Sequence, residues 1–393
     1  MKRLLIYSQG PSLGHLRRAR NIALEVLAHE PDCSVLILAD TPATPMFPPV
    51  PGVDHLKLPT IIRTEGGAWE STTLNVGIDR IISLRSQIIL QAYTQFNPEA
   101  ILIHDRPLGV LEELKPLLNH ALRQTRPPKL FLGICGLLDL PELTEQKWTE
   151  LSALDYLRAY DAILVYDSHE MRDVDSDQSL SPFANKVYHC NYVATGDKLP
   201  AADPVDRDPY LLVMGGAGHT AFHLAETFVE ALPHIRQDLS HNAVVLTGPS
   251  MHPEHRQKIM DRSAGFPVQV LHGVDDATPL IQQAEAIVTL AGYNSLCEIL
   301  QQRKKALVLP RQGPNAEQQL RAKMLAERRL VMTIPPADLT PFSLAQELVR
   351  LVRSEGIPDP MNLPPLDGAQ RTAAVLLGGP IPREHPAVPV LSS

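Results

Sequence analysis

The chain has 393 residues, with 36 Lys and Arg against 44 Asp and Glu, a formal net charge of −8. That length suggests two domains, or three, and a hydrophobic share of 44% argues against disorder throughout, a coiled coil or a collagen. The acidic balance argues against a general nucleic-acid binder, which carries a basic excess.

Short apolar runs of strand length alternate with helical patterns. The first half has Arg3–Ser8, Ser34–Asp40, Val53–Pro59, Ala100–Asp105, Lys129–Cys135, Ala162–Asp167 and Val187–Val193. These runs are unbroken rather than alternating, as expected of parallel strands buried on both faces. Between the first two, Leu16, Ala19, Ile22, Ala23, Val26 and Leu27 share one helical face. A second helix is expected over about Thr72–Phe96. The second half repeats the pattern with Leu211–Gly216, Ala243–Gly248, Val268–Gly273, Ala286–Ala291, Lys305–Pro310 and Leu330–Pro335. Phe222, Ala225, Phe228, Val229 and Leu232 form a helical face after the first of these. Two such series predict an α/β protein of two Rossmann-like, doubly wound lobes. The expected division is a first lobe over 1–195, a polar Pro-rich linker over 196–209, a second lobe over 210–355, and an extension with a Pro-rich tail over 356–393. The 36 prolines fall between elements, where they do not break helices.

The four cysteines, Cys33, Cys135, Cys190 and Cys297, form no CxxC pair, so neither a structural zinc site nor a disulfide framework is expected. Free thiols fit a reducing compartment. Leu4–Tyr7 is too short for a signal h-region, and no apolar run approaches a spanning helix. The expected location is cytoplasmic.

Each lobe opens with a strand, a glycine loop and a helix. The first loop is Gln9-Gly10-Pro11-Ser12-Leu13-Gly14-His15, and the second is Met214-Gly215-Gly216-Ala217-Gly218-His219-Thr220. A glycine loop feeding a helix N-terminus presents free amides to an anion. The first loop lacks the GxGxxG spacing, so Asp40, placed where a dinucleotide enzyme keeps its ribose acid, does not make a nicotinamide site. The second loop is the better phosphate cradle.

His15 stands at the mouth of the first loop, and a histidine there can serve as a general base near neutrality. Asp105 ends the fourth strand, on the sheet edge that the two would share. Arg17, Arg18 and Arg20 could reach an acidic acceptor, but read first as a solvated basic face. No His spacing suggests a metal. Gly292-Tyr293-Asn294-Ser295-Leu296-Cys297-Glu298 and Gly313-Pro314-Asn315-Ala316-Glu317-Gln318-Gln319 each lie between a strand and a helix. Ser295 with Glu298, and Asn315 with Gln318, read either as capping boxes or as cleft residues that bond a ribose and a sugar.

Together these motifs resemble the GT-B glycosyltransferases, whose two lobes face each other across a cleft. The second half looks like the C-terminal domain of family 28, which includes the peptidoglycan N-acetylglucosaminyltransferase. The resemblance runs from Gly215-Gly216-Ala217-Gly218 through Gly292–Glu298 to Gln318-Gln319. The whole chain is similar to a group of bacterial predicted glycosyltransferases, whose Asp-x-x-Pro-x-Gly motif appears as Asp105-Arg106-Pro107-Leu108-Gly109. It departs from them at Pro11-Ser12-Leu13, where the family is richer in glycine, and in a shift of the glutamine pair by about one residue.

The resemblance implies an inverting, metal-independent transfer of a sugar from a nucleoside-diphosphate donor, UDP-linked, to an acceptor hydroxyl. His15 and Asp105 would be catalytic. Gly215, Gly216, Gly218, His219, Gly292, Asn294, Ser295, Glu298, Gln318 and Gln319 would bind the donor, and Gly10 and Gly14 would form the acceptor-side loop. No cofactor is implied, since the nucleotide sugar is a substrate. The acceptor is a small molecule, glycan or lipid, and the isoleucines of Thr72–Phe96 are candidates for peripheral membrane contact. The rival readings are a nucleotide-sugar 2-epimerase or hydrolase of the same fold, a non-catalytic partner subunit, and a Rossmann oxidoreductase.

Overall fold

The computed structural model describes residues 1–10, 13–41, 47, 49–64, 68–135, 153–168, 180, 182–194, 209–216, 221–248, 251–274, 276–311 and 316–379. The first lobe runs β1 (Arg3–Ser8), α1 (Leu13–His29), β2 (Ser34–Ala39), β3 (Val53–Lys57), β4 (Ile61–Arg63), β5 (Trp69–Ser71), α2 (Ile78–Phe96), β6 (Ala100–His104), α3 (Lys115–Leu122), β7 (Lys129–Cys135), α4 (Ala153–Leu157), β8 (Ala162–Tyr166) and β9 (Val187–His189). The second runs β10 (Tyr210–Met214), α5 (Phe222–Asp238), β11 (Asn242–Leu246), α6 (Pro253–Ser263), β12 (Val268–Leu271), α7 (Thr278–Gln283), β13 (Ala284–Leu290), α8 (Tyr293–Gln301), β14 (Lys305–Leu309), α9 (Glu317–Glu327), β15 (Met332–Thr333) and α10 (Pro341–Arg353). Helix α11 (Gly368–Leu376) follows.

The first sheet is ordered β3-β2-β1-β6-β7-β8-β9 and the second β12-β11-β10-β13-β14-β15. Every pairing in both sheets is parallel. Strands β6, β8 and β10 are buried at every residue, which is why their sequences are unbroken apolar runs. In β1, Leu4 and Ile6 face one core cluster while Leu5 and Tyr7 face another on the opposite side of the sheet. In each sheet the order reverses beside the first strand (β1 or β10), so the first glycine loop opens at a switch point, where α/β sheets place their ligands.

The lobes share one core. A single apolar cluster runs from Leu16, Ala19 and Ile22 of α1, through Tyr192–Ala194, to Leu296 and Leu300 of α8 and Ala322 of α9. Helix α11, unforeseen in the sequence, returns to the first lobe: Ala369, Ala373 and Leu376 join that cluster, and Gln370 Nε2 donates to Glu25 at 3.2 Å. The β4–β5 hairpin is also additional, an antiparallel pair off the main sheet.

Helix α2 starts at Ile78 with Gly77 as its N-cap, not at Thr72. Its isoleucines pack inward: Ile81 and Ile89 are buried, and Ile78, Ile82 and Ile88 lie half-buried against core clusters. Core packing thus accounts for them without a bilayer. Among the described residues no helix is long and apolar enough to cross a membrane.

Candidate functional site

Strand β1 ends at the first glycine loop. Gly10 has φ +129°, and a Cβ there would lie 2.6 Å from His15 Cδ2, so only glycine fits. Its amide donates to Asp40 Oδ1 at 2.8 Å. Asp40 is fully buried and also contacts Arg85 Nη1 at 3.2 Å. The carboxylate that a dinucleotide enzyme would offer to ribose is therefore spent inside the first lobe. Arg85 continues the network, with Nε and Nη2 donating to the two carboxylate oxygens of Glu113 at 2.6 and 2.7 Å. The Tyr7 hydroxyl donates to Glu113 at 2.5 Å.

His15 lies in the first turn of α1, and Asp105 directly follows β6. His15 Nδ1 lies 3.1 Å from Asp105 Oδ2, with the two side chains 32% and 23% exposed. Donation from Nδ1 to the carboxylate places the free lone pair on Nε2, a tautomer assigned from the bonding. Asp105 sits at φ +66°, a left-handed conformation that Asp tolerates. Burial alone would raise its carboxyl, but the Arg18 guanidinium, with help from His15, overrides this and holds it well below the usual carboxylate range.

The basic-face reading of Arg17, Arg18 and Arg20 is wrong. Arg18 is buried, and its Nη2 donates to Asp105 Oδ2 at 2.6 Å. Arg17 crosses to the second lobe, where Nη1 donates to Glu298 Oε1 at 2.5 Å and approaches Asp276 at 3.9 Å. Arg20 is buried too, with its guanidinium 5.6 Å from the Phe47 ring centroid. Their charges face partners across the lobe interior rather than water.

In the second lobe, Gly215 packs against Ala221 so closely that a Cβ would overlap it. Gly216 takes φ +72° with open space around it. Gly218 and His219 lie outside the described residues. Gly292 is the N-cap of α8, and no side chain caps this helix. That corrects the capping-box reading: Ser295 lies half-buried within the first turn, and Glu298 pairs with Arg17 instead of an N-terminal amide. Burial pushes the Glu298 carboxyl up, and Arg17 offsets this only in part. Asn294 meets Gly14 of the first lobe so closely that a Cβ on Gly14 would overlap its amide. Two motifs 280 residues apart are thus apposed at Gly14–Asn294 and Arg17–Glu298.

Gln318 Oε1 accepts from the Arg311 amide at 3.1 Å, and Gln319 is exposed. The structure brings Gln318 to the loop after β14 but does not join Gln319 to the pairs above. The partner Asn315 of the second capping box lies outside the described residues. Among the described residues no group of three or more His, Cys, Asp and Glu could hold a metal ion.

Sequence reasoning missed Tyr293. Its hydroxyl accepts from the Val193 amide at 2.9 Å, and its ring stacks on Tyr192 with centroids 5.7 Å apart. It also missed that Arg18 acts with His15. The signal was present: residues three apart on a helix are neighbours, so a helix starting at residue 13 puts both on one face.

Residues 210–363 match the glycosyltransferase family 28 C-terminal domain. The UDP-N-acetylglucosamine--N-acetylmuramyl-(pentapeptide) pyrophosphoryl-undecaprenol N-acetylglucosamine transferase of Leuconostoc citreum is 25% identical over 159 residues, 40% of this chain and 42% of that one. The chain thus spans about two fifths of the length of that curated relative. In overall structure, MurG of Acinetobacter baumannii superposes with TM-score 0.58 and 15% identity, covering 96% of this chain and 98% of that one. A protein of Listeria monocytogenes, described as a UDP-N-acetylglucosamine 2-epimerase on a provisional basis, gives TM-score 0.62 and 13% identity, covering 96% and 95%. The fold is GT-B, and residues 210–363 of the second lobe match the family 28 C-terminal domain.

Proposed function

We propose that this GT-B chain is an inverting glycosyltransferase that moves a sugar from a uridine-diphosphate donor to an acceptor hydroxyl. The observation that carries the reading is the His15–Asp105 pair, 3.1 Å apart, with His15 on the same helix whose Gly14 and Arg17 meet Asn294 and Glu298 of the second lobe. A proton acceptor on one lobe and a nucleotide-binding domain on the other then face one reaction. A uridine donor is supported by the Leuconostoc relative, whose name specifies UDP-N-acetylglucosamine.

The step balances as a single displacement. The acceptor hydroxyl gives its proton to His15 Nε2 as its oxygen attacks the anomeric carbon. The bond from that carbon to the diphosphate oxygen breaks on the opposite face, which inverts the configuration. Asp105 holds the ring by Nδ1 and stabilises the imidazolium that forms. The departing diphosphate takes the bonding electrons and is stabilised by the amides of Gly215 and Gly216 and by the N-terminus of α8. No cofactor or metal enters this scheme. Glu298 accepts hydrogen bonds from the ribose hydroxyls once Arg17 yields its oxygen, and Gln318 bonds the sugar.

The test is UDP release from UDP-N-acetylglucosamine, with and without a panel of hydroxyl acceptors. Acceptor-dependent release that falls about 10²–10⁴-fold in His15→Ala supports the reading. Acceptor-independent release or an epimerised nucleotide sugar would move the chain to the rival class. A His15→Ala variant with near wild-type turnover removes the base assignment.

A further inference from the structure

Among the described residues Arg18 and Arg85 are the largest fully buried side chains, and the mechanism above gives Arg18 no task. Its Nη2 donates to the same Asp105 oxygen, Oδ2, that His15 Nδ1 contacts. The same Nη2 lies 3.4 Å from His15 Nδ1. Its other terminal nitrogen, Nη1, donates to Cys135 Sγ. The guanidinium is stacked 5.3 Å from the Tyr166 ring centroid and 5.8 Å from that of Tyr293, which belongs to the second lobe. Gly133 makes room beneath, since a Cβ there would overlap the Tyr166 hydroxyl. That hydroxyl pairs with His104 Nε2 at 3.1 Å. The side chain is thus fixed by both lobes.

We propose that Arg18 is a positioning residue for the His15–Asp105 pair: by sharing Asp105 Oδ2 it offsets the carboxylate's pull on the imidazole and opposes a second proton on the ring. This rests on the reading of His15 as the base. A lone carboxylate beside a histidine favours the imidazolium, which cannot accept a proton. A cation 3.4 Å from the ring nitrogen opposes that second proton directly. Asp105 remains charged to stabilise the imidazolium when it forms.

The charged and titratable groups around His15 among the described residues fit this balance. Asp105 and His104 come from the end of β6, and Asp40 lies behind Gly10 at the end of β2. Cys135 ends β7 and Tyr166 ends β8, and burial pushes both well up, so both are neutral. From the second lobe, Tyr293 is neutral for the same reason, and Glu298 is matched by Arg17. His104 is kept neutral by burial, with Arg18 adding to that. Among the described residues Arg18 is the arginine that contacts both members of the pair.

The test is an NMR titration of the His15 ring in the full chain with ¹³C-labelled histidine, the resonance assigned by its loss in His15→Gln. In Arg18→Met the His15 midpoint is expected to rise by about one unit or more, a ten-fold gain in proton affinity. Arg18→Lys, which returns a cation, is expected to restore most of the difference. The remaining histidine resonances report whether each variant is folded, and Arg18→Gln takes the place of Arg18→Met if that variant is not. A midpoint that stays put or falls in the neutral variant overturns the proposal. The titration needs no substrate, so it fails or succeeds independently of UDP release. A chain that shows the shift but transfers no sugar keeps this assignment and loses the proposed reaction.

Discussion

Replacing Arg85 with Met tests the network that anchors the first glycine loop. In the native fold Arg85 is buried and donates to both oxygens of Glu113, to Asp40 Oδ2 at 3.2 Å and to the Pro59 carbonyl at 2.6 Å. Asp40 in turn holds the Gly10 amide, and Gly10 packs on His15. Arg85→Met keeps the volume and removes the cation that bridges Asp40 and Glu113. Stripping one partner from a buried ion pair costs about 3–5 kcal/mol. For a lobe of this size each kcal/mol moves Tm by about 2–4 °C, so a fall of roughly 6–20 °C is expected.

The loss should also acquire a pH dependence. Burial already pushes the Asp40 carboxyl up, and Arg85 is the largest influence that lowers it. Without Arg85 its folded value rises further above the unfolded one. The folded state then binds the extra proton, so the variant gains stability relative to wild type as pH falls through that window. The gain is about 1.4 kcal/mol per pH unit for one carboxyl. The assay is differential scanning calorimetry of both proteins between pH 8 and 4. A Tm loss below about 3 °C, or a gap that stays constant with pH, would refute the reasoning.

Asp105→Asn should show the opposite dependence. Its carboxyl lies below the usual range because of Arg18 and His15, so its stabilisation is fully present above about pH 4 and is lost only as pH falls through the lower folded value. Urea unfolding should therefore show a wild-type advantage that is constant from pH 7 to 5 and shrinks only at stronger acidity. Arg17→Ala removes the interlobe partner of Glu298, a pair with side chains 15% and 11% exposed. The expected cost is about 1–3 kcal/mol, between the values for exposed and fully buried pairs, read as a lower urea midpoint at unchanged slope.

The architecture was legible because parallel strands buried on both faces leave a plain trace. Leu4–Tyr7, Ala100–His104 and Ala162–Tyr166 read as uninterrupted apolar runs, and each is a strand. Helix α11 left no such trace, since Gly368–Leu376 follows a Pro-rich stretch and its role is fixed by packing on α1. At the site, loop position alone brought His15 and Asp105 to one sheet edge. The pairing of Arg17 with Glu298 was hidden because it joins residues 281 apart and depends on how the lobes meet. Ser295-x-x-Glu298 has the spacing of a capping box, yet α8 begins at Tyr293 with Gly292 as its N-cap, three residues too early for Ser295 to cap it. Arg18 was misread by residue type: an arginine is ordinarily solvated, and its burial required Asp105, Cys135 and two tyrosine rings from four other elements.

Calorimetric binding of UDP to the wild-type chain and to Glu298→Gln addresses the nucleotide-sugar assignment most directly. The account predicts saturable binding to the wild type, with one molecule per chain. It also predicts binding at least about ten-fold weaker in Glu298→Gln, since hydrogen bonds to a charged acceptor are worth about 1.5–3 kcal/mol. A wild-type chain that binds no UDP, or a variant that binds it equally well, would contradict the account.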